Sequence, residues 1–180
     1  MNKVNRKGFT LIELLAVIVI MGILMIIAIP LMTRYIENSR RDTFIQTAKT
    51  LVQAARYQYL GGEMSCSGST GVHVIPMSQI MIERTGAGGT VRSSFGNQTI
   101  TAGWVMINTT ADGVSTYAIN LVDSGGNGFS TVTVESGLTN ALRNTGFSNT
   151  LSANGAPRPS TFPGGGTAPA TNCCLAGQTC

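Results

Sequence analysis

The side chains of this 180-residue chain that could do chemistry are few: four cysteines, one histidine, and one acid set in an apolar run. Cys66 stands apart, whereas Cys173, Cys174 and Cys180 are clustered, so the chemistry on offer is disulfide formation or soft-metal ligation. Four cysteines allow three pairings. Joining the adjacent Cys173 and Cys174 is strained, which leaves one of them for Cys180 and the other for Cys66, with the choice open. Either choice closes a loop of roughly 100 residues, worth about 4.7 kcal/mol in the chain-entropy account. Two rival readings are four thiolates on zinc, against which stands the missing Cys-x2-Cys spacing, and free thiols in a reducing setting. His73 lies in the alternating stretch Val72-His73-Val74-Ile75, which directs it to solvent rather than toward a nucleophile. No serine has a triad context, no glycine cluster follows a strand-to-helix phosphate pattern, and no paired carboxylates are recognisable. No catalytic residue, no resident metal and no enzyme activity are therefore expected.

Glu13 is the acid. It sits at the start of an apolar run in which no residue from Leu14 to Ile29 carries a charge or a hydrogen-bonding side chain. With its flanks the run is long enough to cross a ~30 Å hydrocarbon core as a helix. A carboxylate there costs roughly 2.5 to 3.5 kcal/mol at the bilayer centre and less near the interface, so it calls for a partner. Before the run, Lys3, Arg6 and Lys7 are unopposed by any acid, which keeps that end cytoplasmic. Ala28-Ile29-Pro30 offers no Ala-x-Ala cleavage pattern, so the span stays with the protein. Pro30 lacks an N–H and clashes with the preceding turn, so the helix should bend or melt between Ile26 and Pro30.

The segment Gly8-Phe9-Thr10-Leu11-Ile12-Glu13, preceded by a short basic leader, resembles the class III signal of type IV pilins and of the pseudopilins of type II secretion and competence systems. Gly22 and Pro30 also fall where pilins carry a glycine and a helix-bending proline. The resemblance implies cleavage by prepilin peptidase between Gly8 and Phe9, and N-methylation of Phe9. It also implies a salt bridge between Glu13 and the new amine of a neighbouring subunit, which would set the axial stagger. That amine has an ordinary pKa of about 7.7 to 8.0 and is mostly cationic at neutral pH. The residues alone leave a second role open, in which Glu13 accepts from the first N–H groups of its own helix.

Beyond Pro30, Phe44, Ala48, Leu51, Val52, Ala55 and Tyr59 recur at steps of three and four and mark one helical face. Arg40, Arg41, Lys49 and Arg56 lie opposite, with Glu37 and Arg41 spaced for an i,i+4 pair. Gly61-Gly62 suits a C-cap, and a helix over 9–60 would extend ~78 Å. Ser78 caps a helical turn through Gln79-Ile80-Met81-Ile82. Ile100 to Asn108 and Val114 to Val122 read as a hairpin turned at Asp112-Gly113, followed by a third strand from Phe129 to Glu135. The fold class expected is α+β: a long N-terminal helix, bent near Pro30, whose C-terminal half packs on a small antiparallel sheet, an arrangement that the resemblance to pilins also implies. The domains are a leader over 1–8, a transmembrane or polymerising half-helix over 9–32, an amphipathic half over 33–60, a β head over 61–149, and a Gly/Pro-rich tail over 150–180 that cannot build a core of its own.

Net charge is +4, with three basic residues in the leader and five on the helix. The head is nearly neutral and carries no basic stripe, so no direct nucleic-acid binding is indicated. No cofactor is expected; Asp112 and Asp123, both at turns, could donate to calcium as a loop of some major pseudopilins does. The favoured function is a pilin-like filament subunit, held in the cytoplasmic membrane with the leader inside and displayed on the surface after assembly. Its expected partners are prepilin peptidase, identical and related subunits, the pilus or secretion machinery, and lipid before assembly. A pseudopilin of type II secretion or DNA uptake is the first alternative, and a non-polymerising membrane-anchored binding protein the second.

Overall fold

The computed structural model describes residues 9–66, 68, 70–81, 91–152, 157–168 and 172–177. Two compact units divide the chain, Met1–Ser39 and Arg40–Cys180. Helix α1 (Leu11–Leu60) contributes to both. In the first unit it is the only described element, and it continues through Pro30 without interruption. The melting expected between Ile26 and Pro30 therefore does not occur. The Thr33 hydroxyl donates to the Pro30 carbonyl at 3.0 Å, as threonines in helices commonly do.

In the second unit α1 buries the face that its periodicity marks. Phe44, Ala48, Leu51, Val52 and Ala55 are fully buried, joined by Ile45 and, near the end, Gln58. Two of the basic residues expected on the opposite face instead lie along its edges. The Arg56 guanidinium lies over the Tyr117 ring at 4.4 Å and pairs with Glu135; Arg41 lies over Phe147 and donates to the Arg143 carbonyl. Long basic side chains can cover apolar surface with their stems while keeping the charge near water. The helix ends where two glycines predict. Gly62 takes φ +73°, its N–H reaches Tyr59 O, and Glu63 N–H reaches Gln58 O, the paired bonds of a Schellman cap.

Strands β1 (Met64–Ser65), β2 (Gly71–Pro76), β3 (Val91–Arg92), β4 (Thr99–Thr109) and β5 (Ser115–Asp123) follow. Then come β6 (Gly128–Phe129), β7 (Thr133–Val134), the single turn α2 (Leu142–Thr145), β8 (Phe147–Ser148) and β9 (Cys174–Leu175). The main sheet runs β2-β4-β5-β6-β8, with β3 on β4 and β7 on β5, every pair antiparallel. The β4–β5 hairpin turns at Asp112-Gly113, where Gly113 adopts φ +79° and Thr110 N–H bonds to Val114 O. The third strand expected over Phe129 to Glu135 is broken. β6 and β7 both pair with β5, but the register slips between them, because Ser130 turns aside and donates N–H and hydroxyl to Gly146 O. After Pro76 a single 3-10 turn, Met77–Gln79, replaces the expected helical turn, with no side-chain cap from Ser78; Ile82 lies outside the described residues.

The sheet is covered on both faces. Ile75, Val105, Ile107, Ile119 and Leu121 face the helix, whereas Val72, Val74, Met106 and Ala118 form a second cluster closed by Phe162 and Ala168 of the tail. The Gly/Pro-rich segment thus completes a core that it does not build alone. It is held by Arg158 Nε donating to Asn172 Oδ1 at 2.7 Å, Cys173 N–H to Val74 O at 2.8 Å, and the pairing of β9 with β1.

Candidate assembly site

The polar start of α1 is built from Phe9, Thr10 and Glu13. Glu13 Oε2 accepts from both Thr10 N–H and the Thr10 hydroxyl at 2.8 Å, and Glu13 N–H reaches back to Thr10 Oγ1 at 3.3 Å. This reciprocal exchange is a capping box, which satisfies the first donors of a helix. In a single chain, then, Glu13 serves its own helix end, the second of the two roles open to it. Phe9 projects, 90% exposed; Gly8 lies outside the described residues. From Leu11 to Met32 the large apolar side chains are all exposed. The helix contains a stretch long and apolar enough to cross a membrane by length and composition, with none of that stretch buried in the protein itself. Gly22 lies within the helix with open space where a Cβ would be, and Pro30 follows a little over two turns later.

In the head, Cys66 is bonded to Cys173. Cys174 is also disulfide-bonded, and Cys180 lies outside the described residues. The choice left open between Cys173 and Cys174 falls to Cys173 because β9 pairs with β1, placing Cys174 opposite Ser65 and Cys173 next to Cys66.

His73 does not face solvent as its alternating context implies. It is 1% exposed, on the helix side of β2, with its ring 5.6 Å from that of Tyr59. Burial pushes its pKa below the usual histidine value. The unfolded chain protonates this histidine near pH 6.5, whereas the folded chain resists protonation until lower pH. The stability of the disulfide-bonded protein should therefore hold above about pH 6.5 and decline as pH falls below it toward the depressed folded value. Denaturant midpoints at pH 7.5 and 5.5 check this: wild type should lose stability between them, and His73→Gln should lose less.

Asp112 and Asp123 stand at opposite ends of β5, in separate turns. Asp112 is exposed. Asp123 is fully buried and accepts from the Ser93 hydroxyl, the N–H groups of Gly125 and Asn127, and the Asn127 amide. Its carboxylate organises the β5–β6 turn. The ion pairs Arg56–Glu135 and Arg143–Asp42, which fasten the helix to the head, were not visible in the spacing of the sequence, because each joins residues far apart along the chain.

The family model of the prokaryotic N-terminal methylation motif matches residues 3–29, a stretch that holds Phe9, Glu13 and most of the exposed apolar part of α1. The chain is 34% identical over 137 residues to the "Type IV major alpha-pilin" of Moraxella bovis, an alignment covering 64% of this chain and 86% of that protein. No solved structure matches it. A methylation motif leading into a bare apolar helix, a helix-on-sheet head, and this likeness over most of a pilin's length all agree: the chain belongs to the type IV pilin family.

Proposed function

We propose that this pilin-type subunit is made as a prepilin, cut between Gly8 and Phe9 by prepilin peptidase, N-methylated at Phe9, and polymerised through α1 into an extracellular filament. The observation that carries the reading is the apolar surface from Leu11 to Met32, exposed on all sides of the helix. Such a surface is stable only in hydrocarbon or against other apolar helices. Lipid covers it before assembly, with Lys3, Arg6 and Lys7 holding the leader in the cytoplasm; neighbouring copies cover it afterwards. Removing the leader strips three positive charges from the end of the span and leaves a single amine as the partner for Glu13. The relative named as a major pilin favours a filament subunit over a pseudopilin.

Gly8→Ala tests the processing step. A methyl group at the residue before the scissile bond should block cleavage, so the variant should accumulate as the longer precursor in the membrane and yield no surface filament. Intact-mass measurement decides it: a mature chain beginning at Phe9 in that variant would refute the cleavage assignment.

A further inference from the structure

The disulfide has a neighbour that neither disulfide formation nor filament assembly requires. Cys66 follows β1 and Cys173 precedes β9, so the β1–β9 pairing draws the two together. The Cys173 N–H bond to Val74 O then lays this junction beside β2, next to His73. The two sulfurs and a ring nitrogen of His73 all lie within 4.8 Å of one another. His73 is buried, and its Nε2 is out of contact with water yet has no hydrogen-bond partner. A buried polar atom without a partner is rare because it forfeits its hydration. An imidazole serving only to fill space could be replaced by an apolar ring at no such cost.

We propose that the dithiol form of this chain binds Zn2+ through the sulfurs of Cys66 and Cys173 and a ring nitrogen of His73, leaving the fourth position to water. Two thiolates and a neutral imidazole are a recognised zinc donor set, and tetrahedral zinc takes sulfur at about 2.3 Å. Opening the disulfide and rotating the side chains lets the sulfurs straddle an ion at that distance. Cys66 is only partly buried, which gives the ion a way in.

Every chain passes through the dithiol state before its disulfide forms. On binding, the two thiols release their two protons to solvent and the imidazole contributes a lone pair. Oxidation by an external disulfide then removes two electrons from the thiolate pair, joins the sulfurs, reduces the external disulfide to two thiolates that take two protons from solvent, and expels the zinc. Metal and disulfide are thus alternative occupants of one position, and zinc delays closure of the bond that pins the tail.

The test uses the full-length chain in detergent, with Cys174→Ser and Cys180→Ser so that only Cys66 and Cys173 can act. Reduced anaerobically and titrated with Co2+, it should bind one ion per chain with thiolate-to-cobalt charge-transfer absorption, reversed by Zn2+. His73→Asn should weaken binding by about 100-fold or more, beyond the effect of losing a supporting contact. Absence of that absorption in the folded, reduced chain would overturn the proposal, as would equal affinity in His73→Asn. If the double variant fails to fold, the wild-type chain serves. With free Zn2+ at about ten times its Kd, mass action leaves roughly a tenth of the dithiol free, so formation of the Cys66–Cys173 bond should slow by about 10-fold, and should not do so in His73→Asn; unslowed oxidation would overturn it.

Discussion

Glu13→Val should yield a chain that inserts and is processed but fails to build filaments. Insertion is spared because valine removes a charge whose transfer toward the bilayer centre costs roughly 2.5 to 3.5 kcal/mol. Assembly suffers because each joint would bury the new amine of Phe9 against a surface that no longer offers a carboxylate. Removing one partner of a buried charge pair costs about 2–5 kcal/mol. Through the tenfold-per-1.4 kcal/mol rule, that raises the subunit concentration needed for assembly by roughly 30-fold or more. The capping box complicates this, since Glu13 also holds Thr10 in the isolated chain. Thr10→Ala separates the two roles: it removes the hydroxyl from the cap while leaving the carboxylate and its charge. Thr10→Ala should still form filaments and Glu13→Val should not. Equal filament yield from the two, measured by shearing and quantifying surface protein, would reduce Glu13 to a helix-end device.

Phe44→Ala should have the largest effect on the head. Its ring is fully buried and meets three others, Phe147 at 5.3 Å and Phe129 at 5.5 Å edge-on, and Phe95 at 6.2 Å. These rings come from the helix, the β3–β4 connection, β6 and β8, so Phe44 ties the first turn of the packed half-helix to distant parts of the sheet. Truncating such a residue costs about 3–5 kcal/mol, a large share of the roughly 5–15 kcal/mol that holds a domain folded. At a urea dependence of about 2 kcal/mol/M, the denaturation midpoint of the detergent-solubilised chain should fall by about 2 M. Tyr57→Ala, on the exposed side of the same helix, should change stability by less than about 0.5 kcal/mol. Similar midpoints for the two variants would show that the aromatic cluster does not hold the head.

The parts of the fold that were legible in the sequence are those with a clean local period. Ala48, Leu51, Val52 and Ala55 recur at helical steps against one sheet, and Asp112-Gly113 interrupts two alternating runs, so helix face and hairpin could both be read. His73 was misread because alternation signals one buried face, whereas β2 is buried on both. Val72 and Val74 lie under Phe162, and His73 and Ile75 lie toward the helix. In a strand covered on both faces, alternation is no guide to which side chains are buried. Its cover was hidden for a related reason: a segment rich in glycine and proline shows no period, and the contacts that hold it on the sheet, the β1–β9 pair and Cys173 among them, join residues far apart along the chain. Of the residues proposed for assembly, Glu13 stood out as the acid at the start of the apolar run, whereas Phe9 was marked only by the resemblance to the pilin signal, and the bond from Glu13 to Thr10 depends on how the first turn closes. The Cys66–Cys173 partnership depended on a two-residue strand pairing that composition cannot reveal.

In the proposed function, processing, methylation and polymerisation would meet at a single atom, the nitrogen of Phe9. Filaments sheared from the cell surface and analysed by intact-mass and N-terminal fragment mass spectrometry should contain this chain beginning at Phe9 and carrying one added methyl group on that nitrogen. Finding it only in the membrane fraction, with Met1 to Gly8 still attached, would contradict the account.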